Sequence, residues 1–244
     1  MIILLGTGHV FDLSSAVREM LEEEQPDVVG VELDRQRYNA LMMKQQDQES
    51  YKMLQKDVPT IYKLLARFQD SMAHEYGVEA GDEMLAAISY AQSHQVPLRF
   101  IDMNAQKLFS KMLRSMSLRE KIRLFFSGFA GFFISKKKVE RELKNIEDTF
   151  ESYLEQIGKK FPTIKRVLID DRNAFMVKQL MTAQAQYGKV AAVVGDGHVP
   201  GLSTLLKNQG LEVKTIRLSA LRAHTSSPKD TSTASFSIGY KPLE

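Results

Sequence analysis

The sequence contains no cysteine and no tryptophan, and it has only five histidines among 244 residues. The absence of cysteine excludes disulfide frameworks, thiolate zinc sites, iron–sulfur clusters and cysteine nucleophiles. Any bound metal must therefore be held by His, Asp, Glu or backbone oxygen. No apolar run reaches the roughly 18 residues that a bilayer span needs. Because the first residues form a strand-like apolar run without a basic leader, we expect a cytoplasmic protein.

Net charge is also small, at +3, while hydrophobic residues make up 43% of the chain, and together these values exclude a disordered protein. The charge is uneven, because residues 104–166 carry fifteen Lys and Arg against seven Asp and Glu. This asymmetry favours an anionic partner for that segment. Within it, residues 119–138 combine phenylalanines with flanking cations. That pattern fits burial in a subunit interface, such as a homodimer, which we favour, or a peripheral membrane contact.

Short apolar runs alternate with helical patterns, which predicts an α/β domain with a mostly parallel central sheet flanked by helices. The domain is expected to span residues 1–223, with a basic helical insertion over about 104–166. Residues 224–244 are predicted to form a loose Ser/Thr-rich tail, in which Phe236–Tyr240 is compatible with an edge strand. The predicted strands are Ile2–Leu5, Val28–Leu33, Pro97–Ile101, Val190–Val194 and Val213–Leu218.

The helical patterns lie between these strands and within the insertion. A helix over Ala16–Glu24 is expected to be capped by Ser14 or Ser15, and Asp34 is expected to cap the next helix, which runs to about Lys56. The other predicted helices are Ile61–Phe68, Glu83–Ser93, Gln106–Arg114, a helix around Phe125–Ile134, Lys138–Ile157, Ala174–Gln184 and Pro200–Asn208.

The polar residues that end the apolar runs are candidate site residues, because open α/β sheets bind ligands beyond the carboxyl ends of their strands. Two strands end in the same pattern, Gly-x-Gly-His-Val, one containing His9 and the other His198. Two further strands end in Glu32 and Asp102. The sequence therefore predicts that two histidines and two carboxylates meet at one rim of the sheet.

The two histidines with Glu32 form a typical facial ligand set for a divalent first-row metal. Neutral imidazole is the commonest transition-metal ligand, and a helix start directly after His198 favours the neutral ring. The neighbouring glycines permit a positive φ or a close backbone approach. Two alternatives stay open: histidines bonded within tight turns, and a salt bridge from Glu32 to Arg35, Arg37 or another base.

Arg172 and Asn173 follow the acidic pair Asp170–Asp171. One interpretation is an N-capping acidic pair with Arg172 in solvent, and the other is a guanidinium that clamps a carboxylate or phosphate. Asp102 and Asp196 are candidates to hold the metal ligands in position by hydrogen bonds, without contacting the metal themselves.

The sequence lacks the motifs of nucleotide-binding sites and of serine hydrolases. The glycine-rich segments have neither the Lys and Ser/Thr of a phosphate-binding loop nor the third glycine of a dinucleotide fingerprint. No Gly-x-Ser-x-Gly nucleophile elbow is present. We therefore expect neither nucleotide binding nor serine hydrolase chemistry, and no nucleic-acid partner.

Segments along nearly the whole chain, from Met1 to roughly Leu218, resemble the TraB (pheromone-shutdown) family in order. These segments are Gly6–Val10; Pro26–Asp34 with Arg37, Tyr38 and Leu41; Gly81–Met84 with Ala87 and Ala91; Ile101–Asp102; Asp171–Asn173 with Met176 and Leu180; and Val193–Gly201. The resemblance implies kinship with the Tiki metalloproteases and the erythromycin-esterase and ChaN-like proteins. Many family members have an arginine directly after the aspartate that is Asp102 here, whereas this chain has Met103.

In Tiki-type proteins, paired Gly-x-x-His motifs and a glutamate form a manganese- or cobalt-dependent peptidase site. The resemblance thus implies a peptidase-like hydrolase in which His9, Glu32 and His198 hold manganese, with cobalt or zinc as alternatives. Glu32 would be a ligand or the base for bound water, while Arg172 and Asn173 would orient substrate or stabilise the oxyanion. The alternative is a non-catalytic peptide-binding or sequestering module that uses the same cleft, docked on a membrane or a partner.

Overall fold

The computed structural model describes residues 1–8, 11–46, 81–123 and 158–226. Strands within these ranges form one all-parallel sheet in the order β3-β2-β4-β1-β5. Helices cover the sheet, so the predicted α/β fold is confirmed. The strands are β1 (Ile2–Thr7), β2 (Val28–Val31), β3 (Leu98–Phe100), β4 (Val190–Gly195) and β5 (Val213–Ile216).

The helices of the described residues are α1 (Ser14–Glu24), α2 (Arg35–Gln46), α3 (Asp82–Ser93), α4 (Ala105–Ser115), α5 (Pro162–Lys165), α6 (Asp171–Tyr187), α7 (Val199–Asn208) and α8 (Leu218–Ser226). A π-helical turn over Arg166–Asp170 joins α5 to α6, and a 3₁₀ turn over Asp196–His198 leads into α7. Residues 118–123 and 158–160 are also helical.

The sheet is buried on both faces, because alternate residues of its central strands point to opposite sides. Ile3 and Leu5 of β1 pack in one apolar cluster with α1, α3 and α8. Ile2 and Leu4 pack in a second cluster with α6 and α7. All four side chains are fully buried. Burial on both faces explains why the central strands β1, β2 and β4 are continuous apolar runs rather than alternating ones.

The central strands end together at one edge of the sheet. Thr7 of β1 pairs with Gly195 of β4, and Val31 of β2 pairs with Val193 of β4. The Glu32 backbone N–H continues this register by donating to the Val193 carbonyl at 3.0 Å. Because β4 lies between β2 and β1, residues that follow β4 are flanked by the ends of both neighbours.

The start of α2 matches its prediction and the start of α1 does not. Asp34 Oδ1 accepts the backbone N–H groups of Gln36 and Arg37 at 2.7 and 3.1 Å, as expected of an N-terminal cap. In α1, by contrast, Ser14 is already helical and makes no cap. Instead, Asp12 Oδ1 accepts the Ser14 N–H at 3.2 Å.

The chain after β4 also departs from prediction. Helix α8 begins at Leu218, where a strand was expected to end, and it continues to Ser226, past the predicted start of the tail at residue 224. Helix α6 is longer at both ends than the predicted Ala174–Gln184. The π-helical turn lets the helix continue through Asp170 and Asp171 instead of starting there.

Several predictions fall outside the described residues. They concern the helix Ile61–Phe68, most of the phenylalanine-rich segment 119–138, the helix Lys138–Ile157 and the edge strand Phe236–Tyr240. The domain boundaries therefore stay predictions, although α4 and α5 are helical at the two ends of the insertion. In the ranges that the structure describes, no helix combines the length and hydropathy that a membrane span requires.

Candidate functional site

The fold brings five predicted site residues together at the carboxyl edge of the sheet. Glu32 directly follows β2, Asp102 comes two residues after β3, and His198 closes the 3₁₀ turn after β4. Arg172 and Asn173 lie in the first turn of α6 and reach this edge from one side.

Arg172 joins the two carboxylates. Its Nη2 donates to Glu32 Oε1, while its Nε and Nη2 donate to Asp102 Oδ1 and Oδ2 at 2.9 and 2.7 Å. The side chains of Arg172, Glu32 and Asp102 are only 13%, 10% and 2% exposed. The interpretation that places Arg172 in solvent beside a capping acidic pair is therefore wrong, and Asp170 instead pairs with Lys165 at 2.9 Å.

Both carboxylate oxygens of Glu32 have a donor, because Oε2 accepts the Gly195 backbone N–H at 2.6 Å. Burial alone would raise the pKa of Glu32, but the His198 ring in its charged form, the Arg172 guanidinium and the Gly195 hydrogen bond lower it to about 2. Glu32 therefore forms a salt bridge, and its partner is Arg172 rather than Arg35 or Arg37. Arg37 reaches the Glu32 carbonyl instead, at 3.1 Å.

His198 is held in one orientation by Asn173. The Asn173 Oδ1 atom lies 2.7 Å from His198 Nδ1, and because a carbonyl oxygen only accepts, Nδ1 carries the proton. Burial lowers the pKa of His198, and Arg172 adds to this effect, against the opposing influence of Glu32. A neutral ring was predicted from the following helix start, but burial is its main cause. The Nε2 atom therefore carries no proton and is an acceptor. It lies 3.5 Å from Glu32 Oε1, which is also an acceptor.

Gly6 in the first motif and Gly201 just after the second are explained by space rather than by backbone conformation. Among the described glycines, a positive φ occurs at positions 81, 188 and 210, none of them in the two motifs. At Gly6, a Cβ atom would lie well inside van der Waals distance of the Asp196 carboxylate. At Gly201, a Cβ atom would overlap the Asn173 amide in the same way. These glycines accommodate side chains of the site itself.

Asp196 anchors the turn that carries His198. Its Oδ1 and Oδ2 atoms accept Arg217 Nε and Nη2 at 2.8 and 2.7 Å, and Oδ1 also accepts the Leu218 backbone N–H at 2.9 Å. The carboxylate thus ties the 3₁₀ turn to the start of α8. The role predicted for Asp196, orienting a metal ligand, stays a prediction, since these contacts join it to Arg217 and Leu218.

Sequence reasoning considered Arg37 only as a partner of the Glu32 carboxylate and missed its contacts with Asp34 and Asp102. Its Nε donates to Asp34 Oδ2 at 3.1 Å, and its Nη2 donates to Asp102 Oδ2. Asp102 therefore has two guanidinium partners although Met103 follows it, and the Met103 N–H donates to its Oδ1 at 2.7 Å. The three-residue spacing of Asp34 and Arg37 at a helix start was the available signal.

His9 lies outside the described residues, so its distance from His198 is not tested. Within the described ranges, no three His, Asp or Glu side chains are grouped so as to hold a metal ion. The predicted three-ligand set therefore stays a prediction.

A parallel α/β domain with a buried histidine beside carboxylates that pair with Arg172, at the carboxyl edge of its sheet, defines the class of this protein. A model of the TraB/PrgY/gumN family matches residues 1–215, and the chain belongs to that family. The resemblance found from the sequence is thereby confirmed.

Relatives come from distant organisms. An uncharacterised protein of Methanocaldococcus jannaschii is 27% identical over 97% of this chain and 62% of its own length. TraB domain-containing proteins of Bos taurus and Homo sapiens are each 25% identical over 82% of this chain and 61% of their own lengths. The chain therefore spans about three-fifths of the length of these relatives.

Proposed function

We propose that this protein is a divalent-metal-dependent hydrolase that acts on peptides, with His9, Glu32 and His198 as metal ligands. The observation that carries the proposal is the 3.5 Å approach of His198 Nε2 to Glu32 Oε1. A neutral imidazole nitrogen and a carboxylate oxygen are both acceptors, and two acceptors repel each other unless a cation or proton lies between them. Nitrogen and oxygen donors of this kind suit manganese, cobalt and zinc.

The charges around this pair also favour a cation. Three carboxylates, of Glu32, Asp34 and Asp102, face two guanidinium groups, of Arg37 and Arg172. Counting only the described residues, one negative charge is left in excess beside the buried side chains of Glu32 and Asp102. Removing that excess by a bound cation lowers the free energy of the cluster.

The low pKa of Glu32 distinguishes between the two roles considered for it. A carboxylate whose pKa is held below its ordinary value by Arg172 and the Gly195 N–H is a weak base near neutral pH, far from the matched value that proton abstraction favours. The same carboxylate, always ionised, is well suited to hold a metal. We therefore assign Glu32 as a ligand.

The neighbouring residues hold the ligands in place. Asn173 fixes the His198 tautomer and leaves Nε2 as the donor atom. Arg172 and the Gly195 N–H fix the Glu32 carboxylate. A bound metal would supply Lewis acidity, polarising a peptide carbonyl and making bound water more acidic. The donors of Arg172 already have partners in the site, which for this residue favours positioning over the oxyanion role considered from sequence.

Metal analysis tests the ligand set. Protein purified without a metal-affinity tag and dialysed against manganese, cobalt or zinc is expected to retain about one ion per chain. His9→Ala and His198→Ala should each lose that ion. His94→Ala is the matched control, because His94 is exposed and contacts Glu22 far from the site. Metal retained by both His9 and His198 variants would refute the assignment.

A second candidate is a peptide-binding module without catalysis, and one observation favours it. Both oxygens of Glu32 are already engaged, by Arg172 and by the Gly195 N–H, so the carboxylate is held without any metal. Incubating peptide libraries with the metal-loaded protein separates the two functions. Cleavage that a chelator abolishes supports the hydrolase, whereas chelator-resistant binding without cleavage supports the module.

A further inference from the structure

Arg37 lies at the outer edge of the candidate site and is more accessible than Arg172. Its side chain is 37% exposed. Three contacts nevertheless fix it: Nε binds Asp34, and Nη2 binds both the Glu32 carbonyl and Asp102. These contacts leave the Nη1 amino group, which makes no hydrogen bond to any part of the chain that the structure describes.

The platform that holds Arg37 is itself rigid. Asp34 accepts the first N–H groups of α2 through Oδ1 and the Ala105 backbone N–H at 3.2 Å through Oδ2, so its carboxylate bridges the starts of α2 and α4. Asp102 is almost fully buried and is held by Arg172 and the Met103 N–H. A guanidinium fixed on two such carboxylates loses little further freedom when it binds a ligand.

Arg37 is also close to the proposed metal ligands. Asp102 Oδ2 accepts from both Arg37 Nη2 and Arg172 Nη2, and Arg172 Nη2 reaches Glu32 Oε1. Asp102 and Arg172 therefore link Arg37 to the Glu32 carboxylate among the described residues. A ligand that reaches from Nη1 to Glu32 and His198 would contact both ends of this network.

We propose that Arg37 Nη1 recognises a carboxylate of the substrate, either a C-terminal carboxylate or an acidic side chain. This inference rests on the proposed function, because it names the substrate class of that site. A planar guanidinium with a free amino group matches a carboxylate oxygen in geometry and charge. The three contacts of Arg37 use its Nε and Nη2 atoms, so Nη1 has no role among the described residues of the cluster.

Peptide capture tests this proposal without requiring turnover. Pools of random octapeptides, in free-acid and amidated forms, are equilibrated with immobilised manganese-loaded protein, and the bound peptides are quantified by mass spectrometry. One hydrogen bond to a charged group predicts an enrichment of about 10- to 100-fold for the carboxylate-bearing member of a pair. Comparison of free acids with amides reports a C-terminal carboxylate, and comparison of Glu and Asp with Gln and Asn reports a side chain.

Variants separate recognition from support of the fold. Arg37→Gln is expected to abolish the carboxylate enrichment while capture of uncharged peptides persists, and Arg37→Lys is expected to keep part of it. Arg35→Gln, an exposed cation on the same helical turn, should leave the enrichment unchanged. Circular dichroism checks that each variant is folded. Enrichment that survives in Arg37→Gln, or is absent in the wild type, would overturn the proposal, as would equal losses for charged and uncharged peptides.

The outcomes also separate this inference from the proposed function. Arg37-dependent enrichment without metal-dependent cleavage would leave a carboxylate site in a binding module. Metal-dependent cleavage with no carboxylate preference would leave a hydrolase and remove the role of Arg37.

Discussion

Replacing Arg172 with Met tests whether the buried charge cluster depends on this one guanidinium. The substitution keeps a long side chain but leaves the Glu32 and Asp102 carboxylates, 10% and 2% exposed, without their shared partner. Removing one partner of a buried pair costs about 3–5 kcal/mol. Because Asp102 keeps Arg37 and Glu32 keeps the Gly195 N–H, we expect the lower end, about 3 kcal/mol of unfolding free energy.

The unfolding free energy that Arg172→Met loses should become smaller as the pH falls. In the wild type the pKa of Glu32 is lowered to about 2, so its contribution to stability is complete above the ordinary value of 4.5 and is lost as pH falls towards 2. In Arg172→Met, burial acts on the carboxylate without the guanidinium and raises its pKa. As the pH falls, protonation of Glu32 then removes the unpaired buried charge from the variant. The stability difference should therefore narrow between pH 7 and pH 4.

Urea denaturation of chelator-treated protein at both pH values measures this difference. Lys165→Met is the matched control, because it removes a cation two turns earlier along the same helical segment. Its pair with Asp170 has side chains 41% and 47% exposed, and such surface pairs contribute about 0–1 kcal/mol. A loss at Arg172 no larger than that at Lys165, or a difference that does not narrow in acid, would refute the reasoning.

Three further predictions concern the surroundings of the site. Burial would raise the pKa of Glu120, but backbone and hydroxyl donors lower it to about 2, so its carboxylate should stabilise the fold above pH 4.5. Glu120→Gln should lower the free energy of unfolding by about 1–3 kcal/mol at pH 7. In urea titrations this loss should vanish as the pH falls towards 2. Gly201→Ala should push the Asn173 amide away from His198 and lower the free energy of unfolding by about 1–3 kcal/mol. A ¹⁵N NMR spectrum of the variant that still shows a single Nδ1–H tautomer of the imidazole would contradict this. Leu4→Ala should lose about 2–5 kcal/mol in calorimetry, because this fully buried side chain packs against two helices, and a loss under 1 kcal/mol would be inconsistent with that core.

The sheet was predictable because its strands carry their own signal. Runs such as Ile2–Leu5 are apolar at every position, which only burial on both faces explains. Glu32 was predictable as a rim residue for the same reason, since a charge that directly ends such a run must lie at the edge of the sheet. These inferences need only the local sequence and the parallel arrangement.

The ion pairs of the site were not predictable in the same way. Arg172 reaches Glu32 across 140 positions of sequence, from a helix that directly follows a π-helical turn. A local pattern shows only an acidic pair before a helical stretch, and that pattern favours a cap. The strand order, with β4 between β2 and β1, is also set by packing of helices and not by any single segment.

The position of β1 determines when a newly made chain can fold. Both hydrogen-bonding neighbours of β1, strands β4 and β5, begin at or after Val190, so this most apolar segment has no partner while nearly 190 residues are being synthesised. At ordinary ribosomal speeds that interval is roughly 10–40 s. The nascent chain must therefore keep an aggregation-prone strand shielded, by chaperones or by transient collapse. When β4 emerges it fills the middle of the sheet and delivers His198 to Glu32 in the same event, so the scaffold and its chemistry mature together.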